Sequence, residues 1–202
     1  MRTRCRGASV GSAVSTAHSY APASAWSRVR AFALDYLLIA GYLVALTGVG
    51  TWMTFGPAAN WWRELLSTPA RMDALAFCFT VGPVSAFFAI SEARGGATWG
   101  KQRVGLVVRS LDGRPLSLRQ STSRAAFMFL PWQLAHTSML HIPGFPVAVT
   151  EVPSASLVGL VGCWSLVALY LVGLSGAAGG RPLYDRLSGS SVLRRVDANA
   201  NR

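Results

Sequence analysis

Residues 95–124 read GGATWGKQRVGLVVRSLDGRPLSLRQSTSR, a polar, basic island between two strongly apolar halves. Counted with the adjoining Arg94, the island carries seven positive charges: Arg94, Lys101, Arg103, Arg109, Arg114, Arg119 and Arg124. Asp112 is its one acid. Whichever side of a membrane this stretch occupies sets the side of every other segment.

The flanking halves make the membrane the natural setting. Of the 202 residues, 51% are hydrophobic and 13% charged, against about 25% charged in an average soluble protein. Long charge-free runs point to spanning helices rather than to a large soluble core. A net charge of +11 would suggest nucleic-acid binding in a soluble protein. Here it marks the cytoplasmic face, and no nucleic-acid partner is expected. Cys5, Cys78 and Cys163 are scattered, which gives neither a disulfide framework nor a metal signature. Cys78 and Cys163 read as apolar packing residues.

Residues 1–27 are rich in Ser and Ala, with Arg2, Arg4 and Arg6 and no acid. Organelle-targeting peptides share that chemistry, but the preferred reading is a disordered basic tail. The remainder reads as one membrane domain over residues 28–196, followed by a short tail over 197–202. Its first helix is expected at about 31–53, with Asp35 as its one charge. Pro57, Pro69 and the paired Trp61 and Trp62 then read as an interfacial turn. A second helix is expected at about 74–91, bent at Pro83 and stopped by Gly95 and Gly96. Within the loop over 95–124, residues 104–118 predict a β-hairpin turning at Asp112-Gly113. A third helix at about 125–141 is weaker, since it contains Pro131, Gln133, His136 and Ser138. The fourth, at about 155–178, is clean. In the polar tail, residues 191–196 suit a strand that joins the hairpin and covers its edge.

Charge counting fixes the orientation. With four helices and the N-terminus inside, 17 of the 19 Lys and Arg residues fall inside and only Arg63 and Arg71 outside. That asymmetry follows the positive-inside rule and requires residues 125–141 to cross. The expected fold is therefore an all-α membrane protein of four transmembrane helices, with a small cytoplasmic β-hairpin cap joined by a C-terminal strand. Both termini are expected in the cytoplasm of a multi-pass cell-membrane protein.

Few motifs carry chemistry. Residues 95–101 match most of a phosphate-binding loop, but Gln102 stands where magnesium needs Ser or Thr, and a membrane helix precedes it instead of a strand. A tight basic turn leaving the membrane is the plainer reading. Lys101 is the one lysine among eighteen arginines, which suits a need for a compact ammonium or none at all. Asp35, about one turn inside the first helix, needs an answer to its charge. Arg28 lies seven residues earlier on the same face, too far for a direct pair, so Lys101, Arg124 or Arg186 is the expected partner. Asp35 is then a cation or proton site, or one end of a structural salt bridge. His136 and His141 are wrongly spaced for shared metal ligation on a helix. No nucleophile is positioned for enzymatic catalysis, and no cofactor or metal is expected.

These residues resemble the RDD family of small bacterial and archaeal membrane proteins. Arg28, Ala31 and Asp35 fit its first-helix pattern. Gly96, Thr98, Gly100, Lys101, Gly105, Leu106, Val108, Asp112, Gly113 and Arg124 fit its loop. Asp185, Gly189 and Val192 fit its C-terminal motif over 181–193, with Ser190 in place of the usual Thr and Ala97 in place of a frequent Gln. The resemblance implies that Arg28, Asp35 and Asp185 act as one charged cluster, supported by the loop residues Gly96, Thr98, Gly100, Lys101 and Arg124. It also implies transport of an unidentified ligand, with cation/proton exchange as one form. A non-catalytic scaffold that binds lipid or a partner through its basic face is the alternative. The lipid bilayer, anionic lipid at the cytoplasmic face and a homo-oligomer are the expected partners.

Overall fold

The computed structural model describes residues 19–175 and 180–196. Helix α1 runs from Ala25 to Phe55. It starts at Ser24, whose hydroxyl accepts the Ser27 amide at 3.2 Å, the usual answer to an orphan N–H at a helix start. Its 31 residues reach about 46 Å at about 1.5 Å each, longer than the 31–53 expected. Its buried residues Ala31, Asp35 and Ile39 recur every fourth position, which places them on one stripe. A disordered tail is expected through residue 27, but residues 19–27 form a strand and the start of α1. Strand β1, Ser19–Pro22, precedes α1. Residues 1–18, with Cys5, and the short tail over 197–202 lie outside the described residues.

After the short helix α2, Ala59–Leu65, the chain enters α3, Pro69–Ala76, through a Thr68 cap. It continues through one π-helical turn, Phe77–Val81, into α4, Gly82–Gly95. The second expected span is thus a rod of 27 residues, Pro69–Gly95. Gly96 stops it at φ 68° and returns its N–H to the Glu92 carbonyl at 3.0 Å, a left-handed cap that glycine adopts without steric cost. The π-turn sits where Pro83 lacks the amide that would bond the Phe79 carbonyl. The Tyr42 hydroxyl of α1 donates to that carbonyl instead.

Three of these elements have the length and hydropathy to cross a membrane: Ala25–Phe55, Pro69–Gly95 and Ser154–Leu174. The last is α7; residues 176–178 of the expected fourth span lie outside the described residues. Helix α6, Leu118–Leu140, replaces the weak segment at 125–141 and falls short of the other three in hydropathy. It nonetheless lies along its neighbours end to end. Near its start Arg124 meets Glu92 of α4, and near its end Thr137 meets Asp73 of α3. Against α7, the Tyr170 hydroxyl donates to the Phe127 carbonyl, and a Cβ on Gly159 would come within 2.0 Å of Ser138 Oγ. α6 therefore runs antiparallel to both.

The polar island folds differently from a hairpin. A five-residue helix α5, Trp99–Arg103, comes first, and strand β2, Leu106–Ser110, follows. The Asp112-Gly113 turn forms, with Gly113 at φ 81° and its N–H on the Ser110 carbonyl at 2.9 Å. The returning strand is reduced to one bridge, Arg109 to Pro115. A capping box at Ser117 and Gln120 starts α6 instead. The partner of β2 is the C-terminal strand β3, Ser190–Val196, which follows the short helix α8, Leu183–Leu187. Three strands form an antiparallel sheet in the order β1-β3-β2, with Val107 opposite Leu193 and Ala21 opposite Arg194. Pro22 fits because β1 is an edge.

Two apolar cores result. Under the sheet lie Ala23, Ala31, Leu106, Val108, Leu116 and Val192. In the bundle lie Ile39, Val81, Phe88, Ala89, Ala125 and Phe129. Cys163 is buried as expected, whereas Cys78 is exposed. Elsewhere α1 and α7 turn large apolar side chains outward, among them Val44, Trp52, Val158 and Trp164.

Candidate functional site

Between the two cores lies a layer of buried charge. The stripe on α1 shows how the sequence makes it: Ala31 belongs to the sheet core, Ile39 to the bundle core, and Asp35 sits between them. At the corresponding level α4 presents Glu92 and α6 presents Arg124, both buried. Lys101 enters from α5 and Asp185 from α8.

Arg124 is the hub. Its Nη1 donates to both Glu92 oxygens at 2.7 and 2.8 Å, and its Nε to Asp185 Oδ1 at 2.9 Å. The planar guanidinium suits this, since its fork addresses two acceptors in fixed geometry. On one side Arg28 Nη1 closes on Asp185 Oδ2 at 2.9 Å, and its Nη2 reaches the Val192 carbonyl at 3.3 Å, which ties α1 to β3. On the other side Lys101 Nζ pairs with Glu92 Oε1 at 2.9 Å and lies 4.8 Å from the Phe88 ring centre. The Tyr184 ring stands 5.2 Å from the Arg124 guanidinium. Burial, with the Asp185 charge beside it, pushes the Tyr184 phenol up to about 12.

Asp35 is answered differently. It is fully buried, and its Oδ1 accepts the Gly100 amide at 2.7 Å while its Oδ2 accepts the Thr98 hydroxyl. Lys101 Nζ stands 3.3 Å from the same Thr98 oxygen. Of the three expected partners, Lys101 thus reaches Asp35 only through a hydroxyl, and Arg124 is engaged elsewhere. Arg186 is exposed and donates to the Arg181 carbonyl. A cation directly on Asp35 is not what forms. Gly100 makes the contact possible, because a Cβ there would lie 2.1 Å from the Ala31 carbonyl oxygen and 2.9 Å from Asp35 Cγ. α5 can lie on α1 only with glycine at this point.

The groups therefore join in one line: Asp35, Thr98, Lys101, Glu92, Arg124, Asp185, Arg28. Three carboxylates meet three cations, so the layer is neutral as a whole. Arg28 and Asp185 touch each other, and Asp35 joins them only through the intervening residues. Gly96 supports the line from outside it, capping α4 and accepting the Val108 amide at 2.6 Å. Ser190 is buried 2.8 Å from the Ser188 hydroxyl, beside Asp185. Glu92 is the member that sequence reading missed. Its signal was present: a carboxylate in the last turn of a helix opposes the helix dipole and so demands a cation.

An apolar bundle that exposes aliphatic side chains and carries a neutralised charge layer under a small sheet is a membrane-type protein. Over residues 22–189 the chain matches the model of the RDD family, and it belongs to that family. No curated protein and no solved structure gives a match.

Proposed function

We propose that this chain is a multi-pass membrane transport protein, or an accessory to one, and that Asp35 is its cation- or proton-exchanging group. One observation carries the reading. Glu92 and Asp185 each touch two cations, whereas Asp35 touches a hydroxyl and an amide. Carboxylates clamped between cations have their charge answered within the protein. Asp35 has hydrogen-bond partners for either form. Protonated, it keeps the Gly100 hydrogen bond and donates to Thr98; ionised, it is answered by Lys101 through the same hydroxyl. Exchange needs a carboxylate free to alternate in this way.

The reading includes four crossings, with both termini and the sheet in the cytoplasm. One sheet cannot straddle a bilayer, since its strands must hydrogen-bond side by side. β2 precedes α6 and β3 follows α7, yet they pair. If α7 crosses, α6 crosses too, and its 23 residues reach about 34 Å at about 1.5 Å each. Arg30, Arg94, Arg103, Arg114, Arg119, Arg194 and Arg195 are exposed, a face suited to anionic headgroups of the cytoplasmic leaflet. Four helices are few for a complete pathway, so a homo-oligomer belongs to the proposal. No enzymatic step is proposed.

A second reading, a scaffold whose Arg/Asp cluster only holds the sheet to the bundle, is favoured by the close pairing of Arg28, Asp185, Arg124 and Glu92. Proton flux driven by cation gradients in proteoliposomes separates the two. Flux in the wild type that disappears in a folded Asp35→Asn protein supports exchange. No flux in either protein across sodium, potassium and lithium supports the scaffold.

A further inference from the structure

A second carboxylate meets only neutral groups, at the end of the bundle opposite the sheet. Asp73 lies on α3 within the apolar rod Pro69–Gly95. Its Oδ1 accepts from Gln133 Nε2 at 3.1 Å and from Thr137 Oγ1 at 2.9 Å, and its Oδ2 lies 3.1 Å from Thr137 Oγ1. Among the described residues no Lys, Arg or His pairs with it. Gln133 and Thr137 are four residues apart on α6, hence on one face, and Gln133 Nε2 also donates to Thr137 at 3.0 Å. The amide oxygen of Gln133 is buried without a partner.

We propose that Asp73, Gln133 and Thr137 bind one hard monovalent cation, an alkali-metal ion for which sodium is the probe, at this end of the bundle. The single negative charge of Asp73 sets the valence. A lone carboxylate in an apolar rod is costly unless neutralised, and one unit of positive charge neutralises it. A divalent ion would leave surplus charge where hydration is poor. The donor atoms set the class. Carboxylate, amide and hydroxyl oxygens suit hard cations rather than thiolate- or imidazole-seeking metals. Gln133 now turns its N–H group to Asp73 and Thr137; a half-turn of the amide exchanges it for the orphan oxygen, which supplies a ligand. This site deepens the exchange reading by giving the ion a station on the side away from Asp35, and it rests on that reading only for this role.

Binding is tested without transport. A cation that binds the folded state alone raises the melting temperature by mass action. The purified full chain in neutral detergent is melted in sodium chloride and in choline chloride at equal ionic strength. The expected result is a sodium-dependent rise of a few degrees in the wild type and in Glu64→Gln, which neutralises an exposed carboxylate on α2, and a reduced rise in Asp73→Asn. Should Asp73→Asn not fold, Gln133→Leu and Thr137→Val serve in its place, each with a reduced sodium response. Equal melting in the two salts for the wild type overturns the site. So does a full sodium response in Asp73→Asn, or an equal reduction in Glu64→Gln. Absent flux through Asp35 with an intact Asp73-dependent shift sinks the exchange reading and leaves this site standing.

Discussion

The Tyr170 hydroxyl of α7 donates to the Phe127 carbonyl of α6, the carbonyl that Pro131, four residues on, leaves without an amide. Tyr42 does the same for the Phe79 carbonyl that Pro83 leaves open. Two prolines in the bundle are thus each answered by a tyrosine from a neighbouring helix. In hydrocarbon no water can take that role, so each proline becomes a point of attachment between helices.

Tyr170→Phe is therefore expected to destabilise the bundle by about 0.6–1.7 kcal/mol, the range for hydrogen bonds between membrane helices. The same substitution in a Pro131→Ala background should cost less, because alanine at that position supplies the missing amide. Unfolding in detergent of the four proteins of this cycle measures the difference. Equal costs in both backgrounds would show that the hydroxyl does not act through Phe127.

Gly100→Ala forces its Cβ to within 2.1 Å of the Ala31 carbonyl. Backbone must move, and α5 must lift from α1. The expected loss is about 1–3 kcal/mol, as for overpacked cores. Gly41→Ala, where nothing lies within 4 Å of the added carbon, is the control. There the gain in helix propensity should stabilise by up to about 1 kcal/mol. Melting curves of the two variants should shift in opposite directions.

Sequence and structure agree where pattern has one physical meaning. Runs without charge became helices, Gly96 became the left-handed stop, and Asp112-Gly113 became the turn. They part where two local signals compete. Leu116 and Leu118 alternate like a strand, yet Ser117 and Gln120 form a capping box, and the helix wins because its cap satisfies amides that a lone two-stranded ribbon leaves to water. β1 has no signal of its own: four residues ending in proline pair only because β3 offers an open edge. At the site, Arg28, Asp35 and Asp185 were legible through their spacing and motifs. Glu92 was overlooked despite its last-turn position, because the apolar run that marks the second helix stops one residue before it. The neutral answer to Asp35 was equally hidden, since it depends on α5 approaching α1 through Gly100.

Alkaline pH should weaken the junction of α8 with the bundle. The Tyr184 phenol is pushed up to about 12 by burial and by Asp185, against about 10 in an unfolded chain. The folded protein keeps this proton where the unfolded chain has released it. Stability from this group is fully present below about pH 10 and is lost as pH rises through about 12. Tyr184→Phe removes that component. The gap in stability between wild type and variant should thus shift against the wild type between about pH 10 and 12, and an unchanged gap would place the phenol in water.

The last prediction concerns what holds Arg124. Glu92 is buried between Arg124 and Lys101 at 2.7 and 2.9 Å. Glu92→Gln removes the charge and keeps the shape, so two cations are left crowded around one amide. Breaking a buried pair in this way costs about 3–5 kcal/mol. Removing one of the stranded cations should return part of it, so Glu92→Gln with Lys101→Met is expected to be more stable than Glu92→Gln alone. Arg124→Lys, which keeps the charge but loses the fork that spans Glu92 and Asp185, should not be tolerated as a conservative change. Midpoints of detergent unfolding for the three variants decide it. A double variant less stable than Glu92→Gln would mean that Lys101 is held by Thr98 rather than by Glu92.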